Sequence, residues 1–357
     1  MNEEQVPHPM SRRSFLLASG AALGAMAVAG LTAPRPASAQ SLESMILETV
    51  TGPVGAGDIE KAMAHEHLFV DFHGPSAPEY MDVDWQAAIG ASVGSAMELR
   101  GQGVNLLVDW TNLGVGRNVL LLRHVSRQSG VNIICPTGIY KSLVPPAMAD
   151  LSVPQLADHF VRELTMGIDG TNIRAGFVKI SVSSDAVAET ETPFHKAAAI
   201  AAKETGATIA MHCPKASVAN EVVGTLEAEG FELDRFVWGH SQPSSNEDHL
   251  EMVKRGATVQ FDAISADSDP FFNGPTDDES MLDRIENVVS AGHPDQVIVS
   301  ADASVFVNPP VWQYDRDNTY VYRYFEAKLA ERLGEDVARQ ILRDNVIRAF
   351  RRGDNVS

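Results

Sequence analysis

The chain has 357 residues, 44% of them apolar and 21% charged, and a formal charge of −19. That balance excludes a disordered chain, a collagen-like chain and a polytopic membrane protein. Residues 1–40 carry three Arg and two Glu, so removing them takes the charge to −20. No sizeable basic surface is left for a phosphate backbone, which argues against nucleic acid as a partner.

The chain begins with Ser11-Arg12-Arg13-Ser14-Phe15-Leu16-Leu17, a mild apolar run from Ala18 to Leu31, and the small residues Ala37-Ser38-Ala39. A cationic start, an apolar middle and a small-residue cleavage point make an address rather than a piece of the fold. The run is rich in Ala and Gly and poor in large aliphatics, so it would hold poorly in a bilayer as a permanent span. This segment resembles a twin-arginine export signal. Residues 1–39 are therefore expected to be removed, residues 40–357 to form a single domain, and the mature protein to be periplasmic or secreted without stable membrane insertion. Export in the folded state suits a chain that must collect metal before it crosses.

From about residue 60, short runs rich in Val, Ile and Ala alternate with helical patterns, the order expected of repeated βα units. The predicted strands are Ala62–Leu68, Asn105–Asp109, Asn132–Pro136, Ala175–Ile180, Thr208–His212, Phe236–His240, Thr258–Asp262 and Val297–Asp302. Between them, apolar residues at three- and four-residue spacing predict helices such as Trp85–Leu99, Val119–Gln128, Val153–Met166, Pro193–Lys203, Ser217–Glu229 and Ser280–Ala291. Gly101, Gly130, Gly206, Gly230, Gly256 and Gly292 stand where left-handed caps would end helices. Eight such units predict a closed (β/α)8 barrel, and no G-x-G-x-x-G follows the first strand to favour an open nucleotide-binding sheet. Cys135 and Cys213 end two strands that are not sequence neighbours in the barrel, and are read as buried thiols rather than a disulfide.

Barrel chemistry sits at the C-terminal ends of the strands. There the sequence places His65 and His67, alternating about Glu66, then Lys179, His212, His240 and Asp302. Alternation puts both strand-one imidazoles on the barrel interior with Glu66 pointing away. Lys179 interrupts the apolar run Ala175–Ile180, where an unpaired ammonium is expensive. Burial and nearby cations lower such an amine's pKa, and it can then react with carbon dioxide to give an anionic carbamate able to bridge two cations.

These residues resemble the phosphotriesterase family of the amidohydrolase superfamily over essentially the whole mature chain. The matching motifs are His65-Glu66-His67, the 174–179 block Arg-Ala-Gly-Phe-Val-Lys, His212, Gly239-His240-Ser241, Val299-Ser300-Ala301-Asp302 and, with Asn for Asp at its end, Gly114-Val115-Gly116-Arg117-Asn118. The resemblance implies two divalent ions: His65, His67 and Asp302 on the buried one, His212 and His240 on the exposed one, carboxylated Lys179 and a hydroxide bridging them. It makes Asp302 the proton acceptor and Lys179 part of the catalytic apparatus. Zinc is the default, with cobalt, iron and manganese also suited to imidazole and carboxylate. A homodimer is implied by the same resemblance.

Thr137-Gly138-Ile139-Tyr140 resembles the lactonase form of the family, while Ala263 and Pro243 stand where phosphotriesterases carry proton-relay residues and Ala303 where they often carry tryptophan. The expected reaction is hydrolysis of a lactone or related carboxylic ester, a small-molecule substrate. Phosphotriester or amide hydrolysis on the same centre is the first alternative, and a periplasmic metal-binding protein without turnover the second. Tyr140, Phe271, Phe272 and Trp312 are the expected substrate contacts, with Phe306 and Tyr314 as further candidate walls. The remaining histidines of the mature chain are read as surface or packing residues.

Overall fold

The computed structural model describes residues 41–141, 143–183, 185–265, 277–310 and 316–356. The export pattern and the side chains of Phe271, Phe272, Trp312 and Tyr314 lie outside the described residues.

Eight parallel strands form a (β/α)8 barrel: β1 Lys61–Glu66, β2 Val104–Asp109, β3 Asn132–Ile134 continued by Pro136–Thr137, β4 Phe177–Ser181, β5 Thr208–His212, β6 Phe236–Gly239, β7 Thr258–Phe261 and β8 Val297–Val299. The ladder runs from β3 through β8 in chain order, and β1, β2 and the first half of β3 continue it. The break in β3 falls at Cys135, whose carbonyl still accepts from Gly176 at 2.9 Å. The helices α1 Trp85–Gly101, α2 Val119–Ser129, α3 Val153–Thr165, α4 Thr192–Thr205, α5 Ala216–Ala228, α6 Asn246–Lys254 and α7 Asp278–Ser290 follow the first seven strands, and Glu326–Leu333, preceded by a π turn, follows the eighth.

The barrel interior is filled by alternate residues, among them Ala62, Ala64, Leu106, Val108, Ile134, Phe177, Ala210, Val237 and Ile298. Leu47 from an N-terminal hairpin and Val346, Ile347 and Phe350 from the C-terminal helix join that cluster and plug its floor. Val346 is fully buried there. Met63, Leu107, Val178 and Ile209 face the helices in the larger outer core. This inward and outward alternation is the period-two pattern of a strand covered on both faces.

Ring closure between β8 and β1 relies on side chains as much as on ladder bonds. Asp302 N–H donates to His65 O at 3.0 Å. Ser300 Oγ accepts from Ala64 and His65 N–H at 3.0 and 2.9 Å and donates to Glu66 Oε1 at 2.9 Å.

Several expected boundaries move. β1 ends at Glu66, β6 at Gly239 and β8 at Val299, all short of the predicted ends, because the chain turns sharply at the barrel mouth. Gly130, Gly206, Gly230, Gly256 and Gly292 are left-handed, but after α1 it is Gly103, not Gly101, that takes the positive φ. Asn118 caps α2, accepting from Leu121 N–H at 3.0 Å, so amide and carboxylate serve equally at that point of the motif. Cys135 and Cys213 are free, and burial pushes both thiols up to about 12. No helix of the described residues is long and apolar enough to cross a membrane.

Candidate metal centre

Simple alternation would not bring His65 and His67 inward, because Ala62 and Ala64 already occupy the interior positions. A register shift between Met63 and Glu66 inserts an extra residue opposite β2, so that Met63 pairs with Leu107 and Glu66 with Asp109. The bulge turns both imidazoles to the interior, a use to which bulges near active sites are often put. His240 and Asp302 reach the same place by different means: each is a non-glycine residue with positive φ, 60° and 49°. Backbone cost of this kind persists where the surroundings over-determine it and clusters at functional sites.

The side chains converge. His65 Nε2 and His67 Nε2 each lie 3.3 Å from Asp302 Oδ1. The His212 ring meets the His240 ring at 4.2 Å, edge to face, and His240 lies 5.0 Å from His65. Lys179, fully buried, sets its Nζ 4.4 Å over the Trp110 ring, which in turn stacks on His65 at 3.7 Å. All six residues singled out in the sequence therefore gather at the C-terminal end of the barrel.

Among the described residues, two groups could hold an ion: His65, His67 and Asp302, and His65, His240 and Asp262. His212 belongs to neither and stands beside His240. The donor chemistry fits divalent metal, because His65 Nε2 and Lys179 Nζ are buried with no hydrogen-bond partner among the described residues. Burial is the main cause that depresses His65 and His212 well below the ordinary histidine range and His67 to about 3, so all three are neutral ligands at pH 7. Burial likewise brings Lys179 down to about 7, where a substantial fraction is the free amine that carbamate formation requires.

Asp262 was not among the expected site residues, although it lies between them. Its Oδ2 accepts from His65 Nδ1–H and His240 N–H, and its Oδ1 from His240 Nδ1–H, each at 2.9 Å, with Gln242 Nε2 at 3.1 Å. Those bonds hold Asp262 well below the usual carboxylate range although burial opposes it. They also place the proton of both imidazoles on Nδ1 and aim both Nε2 lone pairs inward, the usual service of a carboxylate behind a metal-binding histidine. His67 gets the same orientation from Thr111 Oγ1 at 2.8 Å. The sequence signal was available: an acidic residue ending an inward-facing strand between two strands that end in ligands.

Asp262→Asn removes half of this acceptor set and opposes one Nδ1–H with an amide donor. The expected result is a metal affinity lower by roughly 10–100-fold, read by chelator competition on protein whose circular dichroism is unchanged. Unaltered affinity would remove Asp262 from this role.

Arg316 is a second residue that spacing did not reveal. Its Nη1 donates to Asp302 Oδ2 at 3.0 Å and to the carbonyls of Ala301 and Asp302 at 3.0 and 2.9 Å. Glu66, expected only to point away, accepts from Ser300 Oγ, Ala301 N–H and Ala303 N–H and so grips the backbone on both sides of Asp302. Burial pushes this carboxyl up to about 8 against the three donors that favour its charge.

Of the expected substrate contacts, Tyr140 is at the mouth, 5.5 Å from the His212 ring, with its phenol pushed up by burial. Phe306 instead stacks on Phe69 at 6.1 Å, against the outer core. Asp302 sits next to Ala303 and Asp262 next to Ala263, both of them buried methyl groups rather than relay or pocket side chains.

Residues 45–350 match the phosphotriesterase family. A phosphotriesterase homology protein of Escherichia coli K12 is 34% identical over 209 residues, covering 58% of this chain and 70% of its own length. Among solved structures, the organophosphorus hydrolase of Deinococcus radiodurans superposes with a TM-score of 0.75 at 26% identity, covering 86% of this chain and 97% of that one. A mutant PTE-like lactonase of the same organism gives 0.74 at 26%, covering 85% and 99%.

Proposed function

Because this chain belongs to the phosphotriesterase family and is a metal-dependent hydrolase, we propose that its particular reaction is the opening of a lactone or a related carboxylic ester. The observation that carries this choice of bond is Tyr140, half-buried beside His212, together with Ala263 and Pro243 in place of acid–base side chains after β7 and after β6. A planar acyl carbon needs one hydrogen-bond donor at its carbonyl oxygen and one proton acceptor, whereas the missing groups would serve a relay away from the centre.

His65, His67 and Asp302 would hold one ion and His212 and His240 the other, with carboxylated Lys179 between them. Two divalent ions, zinc by default, would supply Lewis acidity and a nucleophile from water at neutral pH. The protein's own groups do the rest. Tyr140 stays protonated and donates to the substrate oxygen. Asp302 turns Oδ1 to the imidazoles and takes a proton on Oδ2, beside Arg316, which fixes the carboxylate plane. Asp262 and Thr111 keep the ligand rings from rotating.

The test is hydrolysis by the zinc-loaded chain of an acyl-homoserine lactone, a γ-lactone, an aryl acetate, paraoxon and an N-acyl amino acid. Lactone or ester turnover exceeding that of paraoxon and the amide by at least tenfold in kcat/KM is expected. The reverse order would make phosphotriester or amide hydrolysis the function, and two ions per chain with no turnover at all would favour a metal-binding protein.

A further inference from the structure

We infer that the substrate carries an anionic group, a carboxylate or its like, and that Lys141 binds it; this rests on the acyl-hydrolase reading above and narrows it.

Lys141 follows Tyr140 in the loop after β3, and that loop is held tightly to the centre. Gly138, at φ 104°, passes so close to β4 that a Cβ there would lie 2.0 Å from the Lys179 carbonyl oxygen. Tyr140 N–H donates to Leu113 O at 3.2 Å and Leu143 N–H to Tyr140 O at 2.9 Å, closing a turn in which Lys141 takes φ 48°. Among the described residues, five non-glycines adopt positive φ, and two of the other four are His240 and Asp302. The left-handed backbone of Lys141 therefore has the same character as that of two ligand-bearing positions, and it aims a long cationic side chain along the same mouth.

The ammonium lies 5.1 Å from the Tyr140 ring centroid, and that ring is 5.5 Å from His212. Lys141 is only half-exposed and makes no ion pair with any described residue. Glu191 is buried, accepts from Ser183 N–H, Ser183 Oγ–H and Ala188 N–H, and makes no ion pair with Lys141. Arg316, another cation at the mouth, is engaged with Asp302. A half-buried lysine with no carboxylate at ion-pair distance among the described residues is placed to take an anion from a ligand. In a chain of net charge −19 a carboxylate partner would be easy to supply. A bound anion, placed where its acyl carbon faces the six ligand residues, supplies it instead.

The experiment compares γ-carboxy-γ-butyrolactone with its neutral carboxamide, using the full zinc-loaded chain. Wild type is expected to prefer the carboxylate by roughly tenfold or more in kcat/KM, the scale of one charge-assisted hydrogen bond. Lys141→Met is expected to bring that ratio close to one through a rise in KM for the carboxylate, and Lys141→Arg to restore most of it. A wild-type ratio near one, or a Lys141→Met variant that keeps the preference, overturns the inference while leaving the hydrolase reading intact. If neither lactone is opened, the same pair read as Kd by calorimetry decides: a carboxylate preference lost in Lys141→Met sustains the anion site even as the lactonase reading fails, and no preference overturns both.

Discussion

Replacing Asp302 by asparagine is expected to lower kcat by about 10²–10⁴-fold on whichever substrate the chain turns over. Asparagine keeps the size and can still accept from Arg316, so the loop that follows β8 should keep its shape. What it lacks is a second anionic oxygen: Oδ1 meets both His65 Nε2 and His67 Nε2 at 3.3 Å, and Oδ2 is left to carry a proton. Burial is the largest influence on this carboxyl and raises it to about 7 in the metal-free chain. The assay is steady-state hydrolysis with metal content measured on the same samples. A variant that holds two ions and keeps kcat within threefold would exclude Asp302 as the proton acceptor.

The second large effect concerns stability. Arg117 in the loop before α2 makes two bonds to Glu163 of α3, at 2.6 and 2.7 Å, and a third to Pro136 O at 3.0 Å. Its side chain is fully buried, and the remaining acidic neighbour, Asp169 at 3.7 Å, is largely exposed. Glu163→Gln therefore strands a guanidinium, and about 3–5 kcal/mol of stability should be lost in urea unfolding. Less than about 1 kcal/mol would mean that Asp169 compensates. The pair also has a pH signature. Burial opposes ionisation of Glu163, but Arg117 draws its pKa down to about 2 from an ordinary 4.5. A depressed carboxyl contributes stability that is complete above its unfolded pKa and is lost as pH falls through the folded one. Wild type should therefore weaken between about pH 4.5 and pH 2, and Glu163→Gln should lose that part of its acid sensitivity.

The eight-fold alternation of strand and helix was legible because both faces of each strand are buried and the runs are short and aliphatic. The ligands were legible because polar residues ending such runs can only meet at the barrel mouth. What spacing could not give was how the chain aims them. His65 and His67 face inward through a bulge, and His240 and Asp302 through left-handed backbone, neither of which has a residue-type signature here. The supporting partners were hidden for a related reason. Asp262 looks like one more strand end, and Arg316 comes from a loop fourteen positions beyond the carboxylate it holds, a distance no periodicity encodes.

The seam between β8 and β1 gives the centre a second meaning. His65 and His67 come from the first staves of this cask and Asp302 from just past the last, with Glu66 and Ser300 as rivets between them. A cask is only as tight as its hoop. Whatever ties those three ligands together also joins segments of chain more than two hundred residues apart, and without that tie the ring would have two loose edges where neighbouring strands should meet. Chemistry and closure thus share one seam, with Glu66 and Ser300 holding the backbone that carries the ligands.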